Sequence, residues 1–291
     1  MQEQIAAFIE TLSSSQNTRL AYQNDLTQFL DFLRQQDPPP RSWQEVTTEH
    51  VQAFVFFLRE REYANSSVAR KMAAVRRFFA FLKKRGDLAE NPAKKVGSPR
   101  VEKKKPIVLT HDEVERLLAA AAGEPGAKGL RDHAMLQVMY ATGVRVSELV
   151  NLRLQDVDLS SCSVRVRSGR RRERVLPLST AACEALRRYV EEARLALVAS
   201  PDEQALFVNA RGTKLTRQGV WLIIREYTEK AGLEKEVSPH TLRHTFAVHH
   251  MQDQTAPHDV GEALGNLTER SLHMYEGLDE AASQPDESAD A

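Results

Sequence analysis

Apolar residues recur every three or four positions through most of this chain, the period of helices with one buried face. In "TRLAYQNDLTQFLDFLR", Leu20, Leu26, Phe29, Leu30 and Leu33 share such a face. "DPPP" then interrupts it, because proline lacks an amide donor and restricts its predecessor. "TTEHVQAFVFFLRER" restarts the pattern with Thr47 or Thr48 as N-cap and a stripe of Val51, Phe54, Val55 and Leu58. "NSSVARKMAAVRRFFAFLKKRG" predicts another helix, capped near Asn65 or Ser66 and closed by Gly86. It buries Val68, Met72, Val75, Phe79 and Leu82 and sets Arg70, Lys71, Arg76 and Arg77 on its opposite face. Residues 1–90 as a whole read as four helices making one domain, these three among them. Residues 91–108 hold three prolines and a basic run without apolar periodicity, the pattern of a linker.

Residues 109–291 read as a second domain. Thr110 with Glu113 three residues on is a capping box opening "THDEVERLLAAA". "LRDHAMLQVMYATG" is a buried helix stopped by Gly143, and "RVSELVNLRLQDVDL" opens the next. The period then changes to two: "SCSVRVRS" and "ERVLPL" alternate about "GRR", which predicts a hairpin. "AACEALRRYVEEARLAL" and "RQGVWLIIREYTEKAGL" are further helices, and "ALFVN" a short strand. The class is mainly α with a small antiparallel β-sheet.

Composition narrows the partners. Formal net charge is zero, yet residues 66–108 carry thirteen Lys or Arg against three acids. "VRVRSGRRRERV" adds six arginines against Glu173, and the final "EGLDEAASQPDESADA" has six acids and no base. Two separated basic segments suit a polyanion, with Arg70, Lys71, Arg76, Arg77, Lys103, Lys104, Arg167 and Arg170 as candidate contacts to it. Cys162 and Cys183 are the only cysteines, without a CxxC pair, so neither a disulfide framework nor a thiolate metal site is expected. No signal-like start or apolar span appears, so the expectation is a reduced, cytoplasmic protein that does not meet the membrane.

"HTLRHTFAVHH" concentrates four histidines, His240, His244, His249 and His250, around Arg243. His240 and His244 have helical spacing for a metal, but no carboxylate or thiol nearby completes a set. Arg243, three residues after His240, suits a phosphate instead.

"ATGVRVSELVNLRLQDVDL", "ERVLPL", "SPHTLRHTFAVHH" and "LGNLTERSLHMY" occur in that order. Together they resemble the tyrosine recombinase (phage integrase) family, and within it the Xer-type bacterial recombinases. The helices around "NTRLAYQNDLTQFLDFL" and "VARKMAAVRRFFAFL" resemble that family's core-binding domain. The resemblance implies an N-terminal helical clamp and a C-terminal catalytic domain acting on double-stranded DNA. It implies Tyr275 as nucleophile, Arg145 and Arg243 as phosphate clamps, and His240 as proton carrier or phosphate donor. It further implies no cofactor and no metal, and a homo- or hetero-tetramer on two DNA sites, with a paralogous recombinase as one form of partner. The roles to which it extends are chromosome dimer resolution and mobile-element integration.

Departures from the pattern accompany it. Gly169 stands where the family places a lysine that protonates the leaving 5′-oxygen, and Arg170 beside it is a poor proton donor. Asn266 stands where the family has a second histidine; an amide donates to a phosphate oxygen but does not shuttle a proton. The acidic tail has little apolar stripe beyond Leu278 with which to dock into a neighbour. These departures keep a DNA-binding protein with little cleavage, and a relaxing enzyme without strand exchange, as competing readings.

Overall fold

The computed structural model describes residues 1–13, 16–99, 105–168, 172–253 and 255–265. The chain divides into two compact units, Met1–Lys104 and Lys105–Ala291. Among the described residues no helix is long and apolar enough to cross a membrane.

The first unit is built from α1 (Gln2–Thr11), α2 (Gln16–Arg34), α3 (Thr48–Glu60) and α4 (Asn65–Arg85). Its core is rich in aromatic rings: Phe29 meets Phe54 at 4.9 Å and Trp43 meets Phe78 at 4.8 Å between centroids. The buried Trp43 indole keeps a partner by donating to the Met1 carbonyl (3.1 Å). The apolar stripes expected of α3 and α4 are buried throughout, and so is that of α2 except for Leu20, which is exposed near the helix start. Gly86 ends α4 at φ 83°, where a side chain would be strained, while the N-cap is Ala64 rather than Asn65 or Ser66.

Two expectations about the basic face of α4 are corrected here. Lys71 is buried, because it lies three residues after Val68 and four before Val75, within the inward stripe. Its ammonium donates to Asp25 on α2 (2.9 Å), and Arg70 pairs with the same buried carboxylate. Arg76 donates to the carbonyls of Ala93 (3.3 Å) and Val96 (2.7 Å) and to Ser98 Oγ (2.8 Å). With Ala93 and Val96 buried in the core, residues 91–98 pack on this unit instead of beginning a linker. Arg70 and Arg77 remain exposed, Arg77 over the Tyr22 ring.

The second unit has α6 (Gly126–Thr142) at its centre, packed against α5 (His111–Ala122), α8 (Thr180–Arg188) and α11 (Pro239–Gln252). The Thr110–Glu113 box caps α5 as expected, with bonds of 3.2 and 2.7 Å. "RVSELVNLRLQDVDL" contains only a short helix, α7 (Val146–Leu149), followed by a 3₁₀ turn and β1 (Val157–Asp158). α8 runs through a π-helical turn at Tyr189–Ala193 into α9 (Arg194–Leu197); α10 (Arg217–Lys230) and α12 (Pro257–Ala263) complete the helices among the described residues.

The sheet is antiparallel, in the order β1, β2 (Ser163–Ser168), β3 (Arg172–Pro177). Val164 and Val166 point into the core while Arg165 and Arg167 face out, the alternation read from the sequence. "ALFVN" is not a strand: it makes only isolated bridges, Arg153 with Ala205 and Val208 with Lys214. The expectation of unpaired cysteines is also overturned, since Cys162 and Cys183 form a disulfide with Cα atoms 5.4 Å apart. The start of β2 and the first turns of α8 pack together, which no local pattern announces.

Candidate active site

Arg145 is presented by a turn that the sequence dictates closely. Gly143 ends α6 at φ 56°, and a β-carbon there would lie 2.4 Å from Phe246 Cδ1, so only glycine fits. Val144 is buried next, and Arg145 is the N-cap of α7. Glu148, three residues on, reaches back to the Arg145 amide (2.9 Å) and guanidinium (3.1 Å). The Arg145–Glu148 contact is thus a helix-start pair and, at the same time, a way of aiming the guanidinium. The Arg145 side chain is 34% exposed and that of Glu148 only 5%.

Arg243 arrives on α11, whose start is fixed by Ser238 accepting from the Thr241 amide (3.2 Å), with Pro239 at the first helical position. Arg243 is buried and donates to the carbonyls of Gly143 (2.6 Å) and Leu264 (2.6 Å). Its bond to Gly143 ties α11 to the turn that carries Arg145. The two arginines, 98 residues apart in the chain, thereby meet a common backbone.

A third arginine joins them. Arg174 on β3 donates to both oxygens of Glu148 (3.0 and 2.8 Å) and, through Nε, to the Ala263 carbonyl (2.8 Å). Arg174, Arg243 and Arg145 therefore donate in turn to the carbonyls of Ala263, Leu264 and Gly265, the last contact being long at 3.5 Å. These carbonyls end α12, where cations meet the negative end of the helix. Sequence reasoning named neither Glu148 nor Arg174 as a site residue. Glu148 was legible as a helix-start carboxylate, whereas Arg174 looked like one more member of a basic run.

His240 stands on the exposed first turn of α11, one turn before Arg243. His244 follows it on the same helix, ring centroids 6.4 Å apart. Burial, and then the charges of His240 and Arg243, push the His244 imidazole down to about 4. The other two histidines serve the scaffold. His249 is buried, bonded to Tyr140 Oη (2.9 Å) and the Leu109 carbonyl (2.9 Å), and His250 bonds to the Phe246 carbonyl (3.0 Å). Among the described residues no three His, Cys, Asp or Glu side chains are grouped to hold a metal ion.

Arg167 faces outward on β2 but is held between Asp156 and Glu173, each at 2.8 Å. Tyr275, Asn266, Gly169, Arg170, Lys103 and Lys104 lie outside the described residues. A hollow of about 700 Å³ beside the arginines is lined by Arg174, Val175, Phe246, His250 and Ala263.

Residues 107–281 match the phage integrase family, and residues 5–86 match the phage integrase N-terminal SAM-like domain. The chain belongs to the phage integrase family. It is 41% identical to tyrosine recombinase XerC of Roseiflexus sp. (strain RS-1), over 97% of this chain and 91% of that one. Tyrosine recombinase XerD of Oceanobacillus iheyensis is 34% identical over 90% of this chain and 87% of its own. Among solved structures, a lambda integrase dimer bound to a COC′ core site superposes with a TM-score of 0.76 at 17% identity, covering 98% of each chain. The XerH recombinase in a post-cleavage complex on palindromic difH substrate gives 0.76 at 18% identity, over 91% of this chain and 77% of that one. Both superpositions concern the fold, mainly helical with a small antiparallel sheet, that this family member shares with them.

Proposed function

We propose that this integrase-family chain is a site-specific DNA recombinase that cuts and rejoins strands through a 3′-phosphotyrosine. The observation that carries the reading is the convergence of Arg145 and Arg243 on the Gly143 turn and the Leu264–Gly265 backbone, ten residues before Tyr275. In this reading Tyr275 Oη attacks the scissile phosphorus. The P–O5′ bond breaks as the P–Oη bond forms, and the tyrosine proton is balanced by one delivered to the departing 5′-oxygen. Arg145 and Arg243 stabilise the non-bridging oxygens as they gain charge, and guanidinium suits that task because it stays ionised and presents planar paired donors. His240 and Asn266 supply further donors to the phosphate. The bond energy is conserved in the phosphotyrosine, so neither nucleotide nor metal enters the balance. Arg70 and Arg77 of the first unit, and Lys103, Lys104 and Arg170, supply contacts to the DNA backbone.

The working form is a tetramer on two duplex sites in the bacterial cytoplasm, with a paralogous recombinase as one candidate for half of it. Chromosome dimer resolution is the role that the XerC and XerD relatives' names suggest. The test is a nicked suicide duplex carrying the cognate site, selected from genomic fragments that the protein retains. Wild-type protein forms a covalent adduct there and Tyr275→Phe forms none while keeping its duplex affinity. Retention of DNA without any adduct from the wild type would favour the DNA-binding reading to which Gly169 and Asn266 point. Adduct without exchange between two sites would mark a relaxing enzyme.

A further inference from the structure

Arg174 occupies a place that the phosphate-clamp reading does not use. It is an interior side chain, 14% exposed, whereas Arg165 and Arg167 on the neighbouring strand β2 face outward. Its guanidinium takes both oxygens of Glu148 and its Nε takes the Ala263 carbonyl, so three elements (α7, β3 and the end of α12) meet on one side chain. Gly265, at φ 61°, lies so close that a β-carbon there would stand 3.2 Å from Arg174 Nη1 and 3.4 Å from Arg145 Nη1. Two like charges thus share one wall, and Glu148 is a carboxylate to which both are bonded.

We infer that Arg174 is a positioning residue for strand cleavage, acting through Glu148 on Arg145; the inference rests on Arg145 being a phosphate ligand. A buried carboxylate paired with a single guanidinium draws it into a bidentate, mutually neutralising clasp. Here the bidentate partner of Glu148 is Arg174, and Arg145 touches the carboxylate through one nitrogen and its own amide. Sharing the carboxylate fixes the direction of Arg145 while leaving its charge less compensated, which is what an incoming phosphate requires. Loss of Arg174 hands both oxygens of Glu148 to Arg145 and turns the clamp into an internal ion pair. The second bond, to Ala263, couples that state to the backbone leading towards Tyr275.

The experiment compares wild type, Arg174→Gln, Glu148→Gln and the double variant on nicked duplexes with an ordinary or a neutral methylphosphonate scissile linkage. Single-turnover adduct formation and duplex Kd are read for each. Arg174→Gln is expected to slow cleavage of the ordinary linkage by about tenfold or more while Kd moves by less than about threefold. The loss should shrink on the methylphosphonate, which makes no demand on the compensated charge. Adding Glu148→Gln should restore part of the rate, since it removes the carboxylate that Arg174 offsets. A merely structural role predicts equal losses on both linkages and a double variant no better than the single, and either result overturns the inference. Should Arg174→Gln fail to fold, Arg174→Lys serves, keeping a cation near Glu148 without the fork; it must show the same linkage dependence. Absence of adduct from the wild type overturns the cleavage reading, and this inference with it. Adduct from the wild type with an undiminished Arg174→Gln overturns the inference alone.

Discussion

Asp25→Asn should destabilise the first unit far more than its chemical modesty suggests. Asp25 is 2% exposed and holds Lys71, itself 7% exposed, at 2.9 Å. Removing the counter-charge leaves an ammonium inside a helical core, and breaking such a pair costs about 3–5 kcal/mol. The low end applies, because Lys71 keeps the Tyr63 ring at 5.3 Å and its long stem allows some escape to water. The contact with Arg70 adds little, since half of that side chain is in solvent. A loss of about 3 kcal/mol, at a urea slope of roughly 1–3 kcal/mol per M, moves the midpoint down by about 1–3 M. Trp43, buried in this unit, reports the transition by fluorescence once Trp221→Phe has removed the chain's other tryptophan. Adding Lys71→Met should recover more than half of the loss, because replacing a buried pair by an apolar residue is often near neutral. The double variant should also keep the salt dependence of DNA affinity, whereas Arg77→Ala should reduce the slope of log K against log salt by about one. A midpoint within about 0.3 M of wild type for Asp25→Asn, or a double variant weaker than the single, would refute the reasoning.

Gly143→Ala should cost roughly 2–5 kcal/mol, from left-handed strain and overlap with Phe246 and Leu264, and should slow adduct formation by displacing the carbonyl that holds Arg243; a thermal melt with suicide-duplex kinetics checks both. His244 is held neutral in the folded chain, so the unfolded chain binds the extra proton between pH 6.5 and about 4, and stability falls as pH drops through that window, by at most about 3 kcal/mol. Denaturant midpoints across that range should flatten in His244→Gln, which cannot take up the proton. The Cys162–Cys183 bond spans 21 residues, so reducing it, or substituting Cys183→Ser, should cost about 3 kcal/mol in denaturant unfolding. With Gly169 in the lysine position, a bridging 5′-thio linkage should be cleaved about tenfold or more faster than ordinary DNA, roughly 1.4 kcal/mol in barrier, and Gly169→Lys should narrow the gap. Equal rates on the two linkages would mean that another group already protonates the leaving oxygen.

What the sequence alone determined lies within a few residues of itself. The Thr110–Glu113 box, the glycine at the end of α6, the serine and proline that open α11 and the two-residue alternation of the hairpin all act across four positions or fewer. Backbone sterics and local hydrogen bonds settle such features before the chain folds back on itself. Lys71 does not belong to that class: its spacing from Val68 and Val75 places it inward, its charge argued for solvent, and only Asp25, 46 residues away, decides between the two. The disulfide, the stapling of residues 91–98 by Arg76, and the place of Arg174 were decided only by tertiary packing. Within its basic run Arg174 is indistinguishable from its neighbours. It becomes an interior residue because the pleat turns it inward beside Val164 and Val166, where the desolvated charge must find Glu148 and an orphan carbonyl at the end of α12, 26 and 89 residues distant.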